Sequence, residues 1–239
     1  MLLGMKKDDI GNRMKSYYEN RTKTFLPRRT YTIIRIDGKA FHSYTRGLVK
    51  PFDDKLMSDM NDTAKYLCSN IQGAKLAFVQ SDEISILLTD FDTFTTDAWF
   101  DGNVQKMVSV SASLATAKFN QLRPDKIALF DSRVFTVPTS AEVANYFIWR
   151  QQDTVRNSIS SLAQSLYSAK ELHGKNTSQM QDMCIAKGQN WNNLPVMCKR
   201  GRLIIKIVYT DINRSYWELA EPPVFTKDFI IHDMIPQIP

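Results

Sequence analysis

Two apolar, β-rich runs of this chain each end on an aspartate, and this pairing constrains the fold more than any other feature. Residues 31–36 run into Asp37, and residues 75–80 run through a serine into Asp82. β-Branched and aromatic residues favour strands. If the two strands lie side by side, Asp37 and Asp82 can bind the same divalent cations. The pair therefore predicts a palm-type site for nucleotidyl transfer, which acts on a nucleoside triphosphate.

The order of the predicted elements indicates the architecture around this pair. Apolar residues at helical spacing predict two core helices, and short apolar runs predict four strands. The order is β-α-β-β-α-β, which is the ferredoxin-like or split βαβ arrangement of an α+β palm domain. The predicted elements are a helix within 5–25, a strand at 31–36, a helix at 53–71, a hairpin at 75–88, a helix at 104–122 and a strand at 128–135.

The rest of the chain predicts an extension of this palm. Residues 140–186 have a helical pattern, residues 203–209 form a late strand, and the proline-rich tail beyond residue 220 packs in an extended form. We therefore divide the chain into a palm catalytic domain with an N-terminal helix, residues 1–139, and a mainly helical extension, residues 140–239. The extension is expected to pack on the palm and to bind RNA.

Composition limits the class of protein and its surroundings. The net charge of +6 favours a polyanionic partner such as RNA, although many ordinary proteins reach this value. The three cysteines are far apart without CxxC spacing, which argues against a disulfide framework and against structural zinc. Cys68 lies on the apolar face of a predicted helix and is expected to be buried. The sequence has neither a secretory signal nor a run of 18 apolar residues, so we expect a cytoplasmic protein outside the membrane.

The two aspartates predict magnesium chemistry. Carboxylates that lie close together repel each other unless a cation lies between them. Magnesium takes oxygen ligands, keeps several waters and is completed by substrate phosphates, and two such ions can serve one phosphoryl transfer. Gly38 can offer its carbonyl oxygen to the metal. In a regular strand Glu83 points to the face opposite Asp82, which predicts an auxiliary catalytic role rather than a metal ligand.

Several basic and polar residues are candidates for phosphate binding. Lys39 and His42 follow Asp37 within five positions, so the loop that contains them is expected to bind the triphosphate. A lysine near a helix start is unfavourable against the helix dipole unless a phosphate is near, which marks Lys106. Each basic residue taken alone is more often a solvated or salt-bridged side chain. The remaining candidates for phosphate or RNA binding are Arg133, Arg156 and Asn157.

Five short motifs together resemble the tRNA-His guanylyltransferase family, and in particular its bacterial and archaeal guanylyltransferase-like branch. The similarity covers most of the chain, and the first two motifs together are highly specific. The motifs are Ile34-Arg35-Ile36-Asp37-Gly38-Lys39-Ala40-Phe41-His42, Gln80-Ser81-Asp82-Glu83, Phe130-Asp131-Ser132-Arg133-Val134, Trp149-Arg150-Gln151-Gln152-Asp153 and His173-Gly174-Lys175.

The resemblance implies a 3′–5′ nucleotide addition at the 5′ end of tRNA on a polymerase-like palm, with two magnesium ions. A nucleoside triphosphate, usually ATP, activates a 5′-monophosphorylated RNA end, and the 3′-hydroxyl of incoming GTP or another nucleotide attacks it. By this resemblance Asp37, the Gly38 carbonyl and Asp82 hold metal, and Arg35 and Lys175 join the phosphate or RNA contacts. Family members usually form tetramers. The implied nucleotide-binding residues are Asp37, Gly38, Lys39, Ala40, Phe41, His42, Ser81 and Asp82.

One departure from the family pattern affects the expected substrate. The eukaryotic enzymes carry His-Ile-Asn-Asn-Leu-Tyr-Asn after the Trp-Arg-Gln motif, whereas residues 155–161 here read Val-Arg-Asn-Ser-Ile-Ser-Ser. Only the first asparagine, Asn157, is kept. This favours template-dependent repair of 5′-truncated tRNA over addition of a guanosine to tRNA-His, which stays an alternative. A palm-type nucleotide cyclase and a catalytically inactive RNA-binding module are further alternatives.

Overall fold

The computed structural model describes residues 9–209, 214–226 and 234–238, and these residues form one antiparallel sheet with helices on both faces. The strands are β1 (Tyr31–Gly38), β2 (Ala74–Gln80), β3 (Glu83–Leu88), β4 (Phe130–Val137), β5 (Arg202–Tyr209) and β6 (Arg214–Ala220). The helices are α1 (Ile10–Tyr17), α2 (Phe41–Tyr44), α3 (Asp54–Asn70), α4 (Val104–Leu122), α5 (Ser140–Leu166), α6 (Ala169–Leu172), α7 (Thr177–Ala186) and α8 (Val196–Arg200).

The strand order confirms the predicted palm. The order is β4-β1-β3-β2-β5-β6, so β1 lies between β4 and β3 in the ferredoxin-like part of the sheet. All five strand pairs are antiparallel. The extension contributes more than helices, because β5 pairs with β2 and β6 pairs with β5. The predicted boundary at residue 139 coincides with the Thr139 cap of α5, but the division into two domains stays a prediction.

The side chains of β1 show why helices cover both faces of the sheet. Ile34 and Ile36 belong to a core shared with α3 and α4, whereas Tyr31 and Ile33 belong to a second core shared with α5. This alternation follows the period of two along a strand. Arg35, between Ile34 and Ile36, therefore lies on the α5 face, and so does the next residue of that series, Asp37.

The N-terminal helix covers Ile10–Tyr17 among the described residues, and none of these residues is buried. It ends before residue 25, and residues 5–8 of the predicted range lie outside the described residues. Asp9 caps its first turn through a hydrogen bond from the Asn12 amide at 3.1 Å. No helix in the described ranges is long and apolar enough to cross a membrane. Cys68 is buried as predicted, and it is a free thiol.

Candidate active site

The two acidic motifs meet at one end of the sheet. The Gly38 amide donates to the Asp82 backbone carbonyl at 3.2 Å, which joins the end of β1 to the β2–β3 turn. Asp37 pairs with Glu83 of β3 on one side and with Asp131 of β4 on the other. The turn has two residues, and Ser81 adopts a positive φ of 45° in the absence of glycine. The predicted convergence of the two strand ends is therefore confirmed.

The Asp37 and Asp82 carboxylates at this end of the sheet have no ion-pair partner among the described residues. The pKa of Asp82 is raised to about 6, mainly by burial and to a smaller extent by the nearby charge of Asp37, while a hydrogen bond with Ser81 opposes the rise. In the described part of the chain no side chain forms a hydrogen bond or ion pair with the Asp37 carboxylate. A bound cation would favour the ionised form of Asp82.

The donor set fits a magnesium ion better than a transition metal. Within residues 9–209, 214–226 and 234–238, no group of three or more His, Cys, Asp or Glu side chains is placed to hold a metal. Two carboxylates and a backbone carbonyl leave several coordination positions open. Magnesium is typically bound by one or two carboxylates, with water and substrate phosphates as its other ligands. The assignment of Asp37, Gly38 and Asp82 as metal ligands stays a prediction.

A cleft of about 490 Å³ opens beside these carboxylates. Its walls are the β2–β3 turn, the 45–53 segment with the start of α3, one side of α5, and the junction of α8 with β5. Asp37 and Asp82 lie in its lining, together with basic residues and apolar side chains of the 45–57 segment. The volume is in the range of small-molecule sites and matches a nucleotide. Basic lining residues are Lys50, Arg150 and Arg202.

The wall formed by the 45–53 segment was not predicted from the sequence. Asp53 holds this wall, because its carboxylate accepts hydrogen bonds from the Leu56 amide at 2.7 Å and from the Val49 amide at 3.2 Å. The first of these bonds caps α3. Lys50 is thereby fixed in the cleft lining as a candidate phosphate ligand. The available signal was a lysine shortly before a helix cap, a few residues beyond the first acidic motif.

Glu83 has a different environment from the one expected. The strand begins at Glu83 and Asp82 belongs to the turn, so the argument from alternating faces does not apply. Glu83 lies opposite Asp37 in register, and both of its carboxylate oxygens accept hydrogen bonds from Arg150 of α5, at 2.9 and 2.7 Å. Arg150 also contacts Asp153 at 3.0 Å. This two-pronged pair positions α5 against the sheet, and the catalytic role assigned to Glu83 stays a prediction.

The residues that follow Asp37 turn away from the cleft. Lys39 donates its amide to the Leu129 carbonyl at 2.8 Å, and Ala40 adopts a left-handed conformation with φ of 55°. The Phe41 ring is buried among core aromatic residues, so a nucleotide can contact Phe41 only through its backbone. His42 is exposed. Of the stretch 37–42, only Asp37 lines the cleft, and the nucleotide-binding roles of the other residues stay predictions.

Three predicted phosphate ligands lie outside the cleft lining. Lys106 is exposed near the start of α4, with its ammonium 5.9 Å from the centre of the Phe100 ring. Arg35 lies over Trp149 at 6.0 Å, and its buried Nε has no hydrogen-bond partner. Arg133 is exposed and approaches Asp131 at 3.8 Å. If these residues bind phosphate, they bind it outside the cleft.

The predicted residues of the extension are divided between the cleft and the surface. Asn157 lines the cleft and donates to the Asp153 carboxylate at 3.3 Å. Arg156 is exposed and also binds Asp153. Lys175 is exposed in the turn between α6 and α7. Asn157 is therefore placed to contact a nucleotide, whereas Arg156 and Lys175 are placed to contact a longer partner.

Comparison with known proteins identifies the family. The family model described as "Thg1: tRNAHis guanylyltransferase" matches residues 11–138, more than half of the chain. The chain belongs to the tRNA(His) guanylyltransferase (Thg1) family. The Thg1 enzyme of Eremothecium gossypii is 30% identical over 223 residues, which cover 82% of this chain and 92% of the relative. Like other members of the Thg1 family, this protein is a nucleotidyltransferase.

Two solved structures of bacterial Thg1-like proteins show the same fold. One, described as a complex with ATP, has a TM-score of 0.85 and 50% identity, and the match covers 93% of this chain and 96% of the other. The second, described as a complex with GTP, has a TM-score of 0.82 and 51% identity, with 92% and 95% covered. These matches confirm the palm-type fold and the resemblance to the Thg1-like branch of the family.

Proposed function

We propose that this Thg1-family enzyme adds nucleotides in the 3′–5′ direction to the 5′ end of a tRNA, copying the opposite strand, and thereby repairs truncated tRNA. The observation that supports this proposal most directly is the meeting of Asp37 and Asp82 at the mouth of a nucleotide-sized cleft. ATP is the proposed activator of the 5′-phosphate, and GTP or another nucleoside triphosphate supplies the attacking 3′-hydroxyl. The bacterial Thg1-like relatives described as complexes with ATP and with GTP support this choice of substrates.

Different residues of the cleft are proposed to contact different parts of the nucleotide. Lys50 is placed to neutralise part of the triphosphate charge, and Asn157 offers an amide to the nucleotide from the opposite wall. Leu48, Val49 and Leu56 provide apolar surface for a base. Arg150 holds Glu83, so α5 keeps a fixed distance from the strand end that presents Asp37. Such positioning keeps the reacting groups aligned, which is a large part of the catalytic effect.

Asp37, Asp82 and the Gly38 carbonyl are the proposed ligands of two magnesium ions. When bound, these ions would lower the pKa of an attacking hydroxyl and stabilise a leaving pyrophosphate. Neither carboxylate has an ion-pair partner among the described residues, and burial raises the pKa of Asp82. A divalent cation bound to these oxygens would therefore stabilise the folded protein most near neutral pH, where Asp82 is ionised.

Residues 155–161 favour repair over addition of a single guanosine to tRNA-His. Ser158 takes the place of the second asparagine of the eukaryotic motif, and its hydroxyl is buried and accepts a hydrogen bond from Trp191 at 2.9 Å. Ile159 is also buried, in place of the leucine. These two positions support the α5 packing and leave Asn157 as the only asparagine of the motif in the cleft. Guanosine addition to tRNA-His is the second candidate function, because the family name describes that activity.

The decisive experiment uses a 5′-truncated tRNA with a 5′-monophosphate. The protein is incubated with this RNA, ATP, the four nucleoside triphosphates and magnesium, and products are sequenced at the 5′ end. Repair predicts RNA lengthened by templated nucleotides with release of pyrophosphate. A single guanosine added only to tRNA-His would favour the second candidate. Cyclic nucleotide formed without RNA, or no product, would contradict both.

We also propose a homotetramer, by analogy with the family. Sedimentation equilibrium of the purified protein would measure its mass directly. A mass of a single chain at assay concentration would contradict this part of the proposal and leave the activity assay unaffected.

A further inference from the structure

Arg202 is buried in the cleft wall without a carboxylate partner. It is the first residue of β5, and only 4% of its surface is exposed. Its Nε donates to the Asn61 side-chain carbonyl at 2.7 Å, and its Nη2 has no hydrogen-bond partner. Among the described residues, no Asp or Glu forms an ion pair with it. The sequence analysis did not select this residue.

The backbone on both sides of Arg202 fixes the direction of its side chain. The preceding Gly201 has a φ of 84°, and an added Cβ would lie 2.5 Å from the Phe78 ring. Arg202 then pairs with Val79 of β2, one residue before the end of that strand. The Arg202 side chain lies on the α3 face of the sheet, where its Nε reaches Asn61. Arg202, at the start of β5, and Asp82, in the turn that follows β2, line the same cleft.

A buried guanidinium without a counter-ion is costly to the folded protein. Removing a charge from water is repaid only by a well-placed opposite charge and by hydrogen bonds. Arg202 has one hydrogen bond to a neutral amide, and burial lowers the pKa of its guanidinium to about 10. Arg150 is equally buried, and its charge is matched by Glu83 and Asp153. The difference between these two arginines points to a ligand that supplies the missing anion.

We propose that Arg202 binds a phosphoryl group of the substrate through the free end of its guanidinium. Arginine binds phosphate through two parallel hydrogen bonds, and its planar shape makes this contact directional. The phosphoryl group belongs either to the nucleoside triphosphate or to the 5′-monophosphate of the RNA end. This inference rests on the proposed function, because it assigns a positioning role within the same cleft.

The test compares wild type with Arg202→Met and with Lys206→Met. Methionine keeps much of the volume of arginine and removes its charge, while Lys206 is an exposed residue of the same strand that lies outside the cleft lining. Binding of GTP and of guanosine is measured with magnesium present. Binding of truncated tRNA is measured with a 5′-monophosphate and with a 5′-hydroxyl. Thermal unfolding of each free variant reports whether the fold is kept.

If the triphosphate is the ligand, Arg202→Met weakens GTP binding about tenfold or more and leaves guanosine binding unchanged, because a hydrogen-bonded charge contact is lost. If the RNA end is the ligand, the variant instead loses the preference for the 5′-monophosphate. Lys206→Met should change neither ratio. Equal preferences in Arg202→Met and wild type, or an equal loss of GTP and guanosine binding, would overturn the inference.

A second variant covers the case in which Arg202→Met does not fold. Arg202→Lys keeps the positive charge but lacks the two-pronged donor, so it should bind the phosphoryl ligand with intermediate strength. Wild-type affinity in Arg202→Lys would contradict the two-pronged contact. Failure of wild type to extend RNA would refute the proposed function alone, because the phosphate preferences are measured without turnover.

Discussion

Replacement of Asp82 by asparagine should stabilise the metal-free protein at neutral pH. Burial, with a smaller effect of Asp37, raises the pKa of the Asp82 carboxyl from 3.8 to about 6. The folded state therefore holds this proton more tightly than the unfolded state does. Stability must fall as pH rises from about 4 to about 6, because ionisation is easier in the unfolded chain. Asparagine has nearly the same shape and never ionises.

The two pKa values set the size of the effect. A difference of about two between the folded and unfolded pKa corresponds to ~3 kcal/mol once the group is fully ionised. Linkage gives ~1 kcal/mol of this cost at pH 4.5 and the whole of it at pH 7.5. Asp82 is only half-buried, so solvent screening lowers the expected gain at pH 7.5 to about 1–2 kcal/mol. Magnesium should stabilise wild type at pH 7.5 and have little effect on the variant.

Urea unfolding measures the free energy of unfolding of wild type and of Asp82→Asn at pH 4.5 and at pH 7.5. At each pH the measurement is made once with EDTA and once with magnesium. The control is Asp131→Asn, which removes an exposed carboxylate at the same end of the sheet. This control should change stability little at either pH. A variant Asp82→Asn that is less stable than wild type at pH 7.5 in EDTA would refute the reasoning. An equal response of both proteins to magnesium would refute the assignment of Asp82 as a metal ligand.

Three further predictions concern activity and packing. Asp37→Ala should abolish RNA extension while circular dichroism shows a retained fold, and near-normal extension would remove Asp37 from the site. Lys106→Ala and Arg156→Ala should each weaken RNA binding and reduce its salt dependence, because each removes a proposed phosphate contact. An unchanged dependence of RNA affinity on salt would mean that these residues do not contact phosphate. Arg150→Met should lower the free energy of unfolding by about 3–5 kcal/mol in urea titrations, because Glu83 is left buried and unpaired; a loss below ~1 kcal/mol would contradict this.

The palm could be predicted from the sequence because each of its strands and helices has a pattern that is visible within a short stretch of residues. β1 is a short run of β-branched residues, α3 shows a clear apolar period, and Asp53 marks the start of α3 as a cap. The positions of β5 and β6 could not be predicted, because pairing between β2 and β5 depends on contacts more than 120 residues apart along the chain. A late apolar strand was visible, but nothing in its own residues indicates which edge of the sheet it joins. The mainly helical description of the extension was therefore incomplete.

The acidic residues of the candidate site could be predicted from the sequence, whereas its basic residues could not. Asp37 and Asp82 each end an apolar run, and the topology alone brings them together. Lys50 and Arg202 reach the cleft from a loop and from a late strand, so no short motif joins them to the aspartates. Phe41 belongs to the family motif although its ring packs into the core, and its nucleotide-binding role stays a prediction. The residues of a sequence motif are close along the chain. Whether they line a cleft depends on the direction in which each side chain points.

The charged residues of the cleft differ in whether the fold itself supplies them with an opposite charge. Arg150 is balanced by Glu83 and Asp153 within the fold, so it contributes stability whether or not substrate is present. Asp82 is half-buried and Arg202 is buried, neither has an ion-pair partner among the described residues, and they line one cleft with opposite charges. Under the proposed function, a metal-bound phosphoryl group would balance both charges, so the binding energy of the substrate would be concentrated at the end of the sheet that presents Asp37 and Asp82.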